Sequence, residues 1–418
     1  MINFKQLPAV FSALSAPPPA LAGSSEPLLL HVTEERDENT LTRTMHFNGQ
    51  SIYFKMANEE LPPPLQTWDF AVVASLFTAM RLGRPIHVCG PVSTSLLANL
   101  DSFQEIWNIW LPDLYQTIEI TADAEIELET NAGNKGVFAF SGGLDSTFSL
   151  LRHHLKSIGR RAVDPTTAML ISGFDLDVEN TSSIQVASTS ARKILDPMGI
   201  PLVIVETNWK TDLCYNWSME HMAGITACLL QFQGMVNIAV VGSDEGLEHL
   251  DIPWGCNPVT NPNLSSNSFK IVTEGLGFSR SQRAAYINEN SDLAPHIRVC
   301  WENAHTGTNC GTCEKCIRTQ LNFRAVGAEP QGYLKIANFW QIAFTPSHNL
   351  GDNVFLAETQ REASRRKIYG WWRLACYISI AKNFLMAPIL MAKNKLKHLI
   401  RKNENLYQQV RKLVGKNA

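Results

Sequence analysis

The stretch FAFSGGLDST, residues 138–147, places two glycines, an acid and three hydroxyls on one bend between an apolar run and a helix-spaced run. A phosphate needs several N–H donors converging on it. A backbone that turns without side-chain obstruction at the start of a helix supplies them, together with the positive end of the helix dipole. Gly142 and Gly143 permit the turn and the close approach, Leu144 continues the expected phosphate loop, Ser141, Ser146 and Thr147 add hydroxyls, and a helix is expected from Ser146. Asp145 is the odd member: an acid beside phosphates makes sense if it holds a magnesium ion or orients the loop. The pattern is neither that of a Walker loop, since no Gly-Lys-Ser/Thr follows, nor the dinucleotide pattern Gly-x-Gly-x-x-Gly.

A second constellation is CWENAHTGTNCGTCEKCIRT. Cys300, Cys310, Cys313 and Cys316 form C-x9-C-x2-C-x2-C, with Gly311 easing the tight turn. Four thiolates on two turns suit the tetrahedral demand of a structural zinc, and they suit an iron–sulfur cluster as well. His305 offers an alternative ligand. The chain has nine cysteines; the other five are scattered and read as small core residues. With no secretory signal, clustered thiols point to a reducing cytoplasm and to metal or catalysis rather than disulfides.

The elements that position these residues follow from composition and periodicity. At 418 residues, 45% hydrophobic and 18% charged, the chain can bury a large core. A net charge of −3 gives no global reason to expect nucleic acid or an anionic membrane as the main partner. No transmembrane segment is expected. Residues 1–27 read as a flexible arm interrupted by prolines. Residues 28–134 read as a small N-terminal α+β domain, with MHFNGQSIYF a hairpin turning at Asn48-Gly49. The segment NAGNKG at 131–136 is a candidate boundary. From Val137, apolar strands alternate with helical periods, the signature of a doubly wound parallel α/β sheet, here expected over 135–325. The bend follows its first strand, where such sheets bind ligands. Residues 326–418 read as a helical extension ending in a basic amphipathic helix, a solvated face first and a nucleic-acid or membrane contact second.

The bend resembles the Ser-Gly-Gly-x-Asp-Ser motif of the PP-loop ATP pyrophosphatases, which have an adenine nucleotide α-hydrolase-like fold. With the late cysteine knuckle it resembles one branch in particular, the 7-cyano-7-deazaguanine synthases of queuosine biosynthesis. The resemblance covers roughly residues 137–325. It implies ATP and Mg2+ as cofactors, structural Zn2+ on the four cysteines, and activation of the carboxylate of a 7-carboxy-7-deazaguanine-like acid, followed by attack of nitrogen to give an amide and then a nitrile. GFSRSQRAAYI is similar to the family's later basic segment, putting Arg283 and secondarily Arg280 where a phosphate-facing cation is usual.

In that chemistry the amides from Gly142 to Ser146, Arg283 and magnesium near Asp145 would steady the departing pyrophosphate. Adenine is expected at Ser172, Gly173 and Phe174, the end of the second strand. Trp254 offers a stacking face to a planar deazapurine, with Asp244, Glu245, Asp251 or Asn257 as edge partners. Where the family has Tyr-Pro-Asp-Cys-Arg, this chain has IPWGCN. The added N-terminal domain suggests a protein partner, and similar extended homologues accompany phage-defence systems, in which a protein amine would replace ammonia. A homodimer, a tRNA- or nucleotide-directed thiolation or amidation, and a non-catalytic nucleotide-binding scaffold are the remaining expectations.

Overall fold

A computed structural model describes residues 26–129, 133–250, 252–300, 302, 308–345 and 351–402. The expected arm up to residue 25, His305 and the basic segment from 403 lie outside these described residues.

Strands β1 (Leu28–Arg36), β2 (Thr40–Phe47) and β3 (Gln50–Ala57) form an antiparallel meander with alternating burial. Its second turn has Asn48 at φ 51° and Gly49 at φ 76°, the pair of left-handed residues that lets a two-residue hairpin follow the strand twist. Helix α1 (Asp69–Leu82), strand β4 (Ile86–Ser93), helix α2 (Thr94–Trp110) and strand β5 (Ile120–Ile126) follow. After residue 134 the rhythm becomes strand–helix: β6 (Lys135–Ala139), α3 (Leu144–His154), β7 (Asp164–Ser172), α4 (Thr181–Leu195) and β8 (Leu202–Thr207). Helices α5 (Trp209–Asp212) and α6 (Trp217–Leu229), strands β9 (Ile238–Gly242) and β10 (Lys270–Glu274), and helix α7 (Arg280–Asn290) complete this part. A helical layer closes the chain: α8 (Glu314–Ala325), α9 (Phe339–Ala343), α10 (Gly351–Arg365) and α11 (Trp371–Lys402). The periodicity left β10 unread.

All strands join one ten-stranded sheet, ordered β10-β9-β6-β7-β8-β3-β2-β1-β4-β5. The β8–β3, β3–β2 and β2–β1 pairings are antiparallel and the rest parallel. One sheet therefore runs across the boundary expected at 131–136. A parallel sheet ending at β8 would leave a row of unpaired amides, and β3 covers it through Phe54, Lys55 and Met56. The apolar cluster under α1 and α6 is likewise shared, joining Phe54, Phe70 and Trp107 to Val205, Trp209 and Met222.

On the other face a second cluster packs Phe138, Phe140 and Phe148 against Ile194, Ile287 and Phe323. Within the strand–helix part, chain order across the sheet is third, second, first, fourth, fifth. Its crossovers diverge between β6 and β9. Sheets of this kind open a crevice there, beyond the carboxyl ends of the strands, and the β6–α3 bend sits at that point.

Candidate functional site

The bend begins where Phe140 leaves the sheet, its amide bonded to Met169 O at 2.7 Å. Gly142 has φ 71°, and Gly143, in extended conformation, caps α3. The Thr147 amide closes the first turn on Gly143 O at 3.0 Å. A Cβ on Gly143 would lie 3.1 Å from Ser141 Oγ and 3.5 Å from Arg298 O, so a side chain there would crowd the Ser141 hydroxyl. Ser146 Oγ lies 3.3 Å from Gly143 O and 3.4 Å from Ser141 Oγ. Ser141, Gly143, Leu144, Asp145 and Ser146 line a cleft of about 380 Å³, including its open mouth, together with Asp175, Arg280, Arg298, Cys300 and Lys315. The Arg298 amide donates to Gly142 O at 2.7 Å, tying the bend to the segment that leads into Cys300.

Asp145 is held between a pair of arginines. Its Oδ2 accepts from Arg280 Nη1 at 2.5 Å and its Oδ1 from Arg283 Nη1 at 2.6 Å. Burial would raise its carboxyl, and the charges of Arg280 and Arg283 overcome that and hold it below the usual carboxylate range. With one guanidinium on each oxygen, Asp145 ties the loop to both arginines, and each oxygen keeps a further lone pair.

The two arginines differ in how their donors are engaged. Arg283 is fully buried, and its five donors meet Asp145, the carbonyls of Ser243, Gly275 and Phe278, and Ser243 Oγ. It has no donor left for a ligand. Arg280, 6% exposed, lines the cleft, and its Nε and Nη2 are buried without a partner. Unpaired buried guanidinium donors are costly. Arg280 shares its cleft with the first residues of α3, Leu144, Asp145 and Ser146.

Other expected nucleotide contacts lie away from the cleft. The Thr147 and Ser172 hydroxyls are buried without partners. Gly173, at φ 106°, is needed for packing, since a Cβ would stand 1.8 Å from Thr207 O. Phe174 packs against Trp209 at 5.8 Å and Trp217 at 5.0 Å between ring centroids. What this segment brings to the cleft is the next residue, Asp175.

The expected substrate residues separate. Asp251 lies outside the described residues. Asn257 is fully buried and spends its side chain on Trp254 O, Thr260 Oγ1 and the amides of Val259 and Thr260, so it shapes the loop. Asp244 and Trp254 do come together, the indole Nε1 donating to Asp244 Oδ2 at 3.0 Å. The same oxygen lies 3.3 Å from His221 Nε2, whose ring is 5.5 Å from that of Trp254 and 5.7 Å from Trp217. Burial would raise Asp244, but the hydrogen bond and charge of His221 outweigh it and hold the carboxyl down to about 2. Glu245 goes the other way, pushed up to about 7 by burial despite Arg280 and Arg318.

The four cysteines close on one point. Their sulfurs lie within 4.8 Å of one another, with Cys300–Cys313 at 3.8 Å and Cys310–Cys316 at 3.9 Å. A tetrahedron with Zn–S arms of about 2.3 Å has edges of about 3.8 Å. The sulfurs also collect backbone donors: the Cys313 amide at 3.2 Å from Cys310 Sγ and the Cys316 amide at 3.4 Å from Cys313 Sγ, contacts that steady thiolates. Gly311 at φ 81° cannot be replaced, its Cβ falling 1.8 Å from Lys335 O. Asn309 braces the site by accepting from the Val299 and Cys300 amides and donating to Ile297 O and Gly332 O. Shared hydrogen bonds with Cys300 push the Cys313 thiol up to about 12 and raise Cys316 as well. A cation among them reverses that cost, and the group can hold a metal ion such as zinc.

The knuckle does more than staple a loop. Cys300 and Lys315 line the cleft, and Arg298 and Val299 run into Cys300, so a metal there would brace that part of its lining. Lys315 was legible, being the basic residue inside Cys313-Glu-Lys-Cys316. Asp175 and His221 carry no local signal, because both gain their setting from strands and helices distant in sequence. No family model, curated protein or solved structure matches this chain.

Proposed function

We propose that the chain is an ATP-dependent carbon–nitrogen ligase of PP-loop type that adenylates the carboxylate of a 7-carboxy-7-deazaguanine-like acid. The carboxylate oxygen attacks the α-phosphorus, the bond to the bridging oxygen breaks and pyrophosphate leaves. A nitrogen nucleophile then attacks the acyl-adenylate and AMP departs. The observation that carries the reading is the pairing of the bare Gly142-Gly143 bend, at the point where the sheet's crossovers diverge, with the unpaired donors of Arg280. Those donors and the α3 amides would take the charge that builds on the leaving diphosphate, a contribution of position and electrostatics.

Asp145 holds Arg280 by Nη1 and leaves its Nε and Nη2 without a partner; in this scheme they would turn to the anion. Magnesium enters this scheme with the nucleotide; Asp175, with Lys210 at 3.9 Å, is the cleft carboxylate outside the arginine pair. Trp254, held by Asp244, would offer the deazapurine a stacking face. Zinc suits the cysteines better than an iron–sulfur cluster, because sulfur separations of 3.8 and 3.9 Å fit one ion and leave no room for a core of several irons and sulfides.

The nucleophile is ammonia or, with a partner docked, a protein amine. The test is incubation with ATP, magnesium and 7-carboxy-7-deazaguanine, with and without ammonium or candidate partner proteins, following pyrophosphate, AMP and product mass. Acid-dependent AMP formation supports the reading, and the product mass names the nucleophile. AMP formation indifferent to the acid removes the substrate, and nucleotide binding with no AMP at all makes the chain a scaffold.

A further inference from the structure

Helix α11 is built inside out for a surface helix. At 100° per residue, Trp371, Leu374, Tyr377, Phe384 and Leu385 fall on one arc of about 140°, and all five are exposed, Leu385 by 79%. The opposite arc, which packs on α9 and α10, carries Trp372, Ala375 and Cys376 but also the fully buried Ser379 and the buried Asn383. A solvated helix keeps polar residues outside; here the outward arc is the more apolar one. Short helix α9 adds to it, with Trp340 (65% exposed) stacked on Phe344 at 5.9 Å, and Phe339 bridging to Trp371 at 6.4 Å. A contiguous apolar face of this kind marks an interaction surface.

The charge of the helix says what covers it. Over Trp371–Lys402, α11 has no Asp or Glu and carries five basic residues between Lys393 and Lys402, in a chain whose net charge is −3; Arg373 and Lys382 are spent inward, on Gln360, Ser364 and Ile368 O and on Thr345 O. A second copy would bring like charges together. Nucleic acid would answer the charge and leave Leu374, Phe384 and Leu385 in water. A layer that is anionic at its surface and apolar beneath answers both. Trp, Tyr and Phe are the residues that settle at such a boundary. No helix among the described residues is long and apolar enough to cross a membrane.

We infer that α11 and α9 form a docking face for an anionic lipid surface, α11 lying flat with its Trp371–Leu385 arc in the headgroup boundary. The inference stands apart from the ligase reading. The test uses the full chain with vesicles of phosphatidylcholine alone or mixed with phosphatidylglycerol, read by co-sedimentation. Wild type is expected to partition onto the anionic vesicles at least tenfold more strongly than onto neutral ones. The double variant Leu374→Glu/Leu385→Glu, both sites being exposed, is expected to lose at least tenfold while keeping its bound metal and melting temperature. Should the variant misfold, quenching of wild-type tryptophan fluorescence by brominated anionic lipid reads the same contact. The inference is overturned if anionic vesicles neither pellet the protein nor quench it, or if the folded double variant binds like wild type. It is equally overturned if the face proves to be a dimer interface that the variant splits, or if it binds duplex DNA in place of lipid.

Discussion

Replacing Asp145 by asparagine separates an anchoring role from a metal-binding one. The carboxylate meets Arg280 at 2.5 Å and Arg283 at 2.6 Å, and Arg283 is wholly buried. Removing one member of such a buried arrangement leaves uncompensated charge and costs about 3–5 kcal/mol. With an unfolding entropy near 2.1 cal/mol/K per residue, a 418-residue chain loses roughly 3–6 °C in melting temperature. The pH dependence has a definite sign. Burial raises the Asp145 carboxyl, and Arg280 and Arg283 more than offset it, so its folded value lies below the ordinary 3.8. The stabilisation is therefore present above that value and fades as pH falls through the lower, folded one. Differential scanning fluorimetry of wild type and Asp145→Asn from pH 4 to 8 should show a near-constant gap, narrowing only in stronger acid. Equal melting temperatures at pH 7 would refute the anchoring role.

Arg280→Gln should depress acid-dependent AMP formation by about 100-fold, the loss of a donor to a developing oxyanion, with a melting shift smaller than that of Asp145→Asn; equal turnover would remove Arg280 from the site. Metal analysis should find one zinc per chain, and Cys313→Ser should lower both the metal content and the affinity for nucleotide, because Arg298 and Lys315 reach the cleft from the knuckle; unchanged nucleotide affinity in the metal-free variant would break that link. Glu245 is raised from 4.5 to about 7 by burial, so wild type loses stability as pH rises between these values. Glu245→Gln should then gain about 1–3 kcal/mol at pH 8 and little at pH 5 in urea unfolding, and a gain independent of pH would contradict it.

Local chemistry was enough to read most elements. Asn48-Gly49 specifies its own turn, the apolar runs at 137–140 and 202–207 specify strands, and the C-x2-C-x2-C spacing brings three sulfurs onto one turn whatever surrounds them. The strand–bend–helix around Gly142 and Gly143 was likewise visible, since every residue that shapes it lies within a few positions. Strand β10 was missed because five residues of mixed burial carry no clear period.

What the chain could not tell by itself is which distant groups meet. GFSRSQRAAYI offers two arginines three positions apart, and nothing in their spacing says which one is consumed by Ser243, Gly275 and Phe278 and which is left with open donors. Nor does periodicity reveal that β3 seals the edge at β8 and makes two apparent units share one core. Order of elements, turns and ligand spacing are properties of neighbouring residues and so were settled by the sequence. The partition of charge between Arg280 and Arg283, the joining of the cysteine knuckle to the cleft, and the apolar face of α11 depend on contacts closed over long loops, which only the folded chain decides.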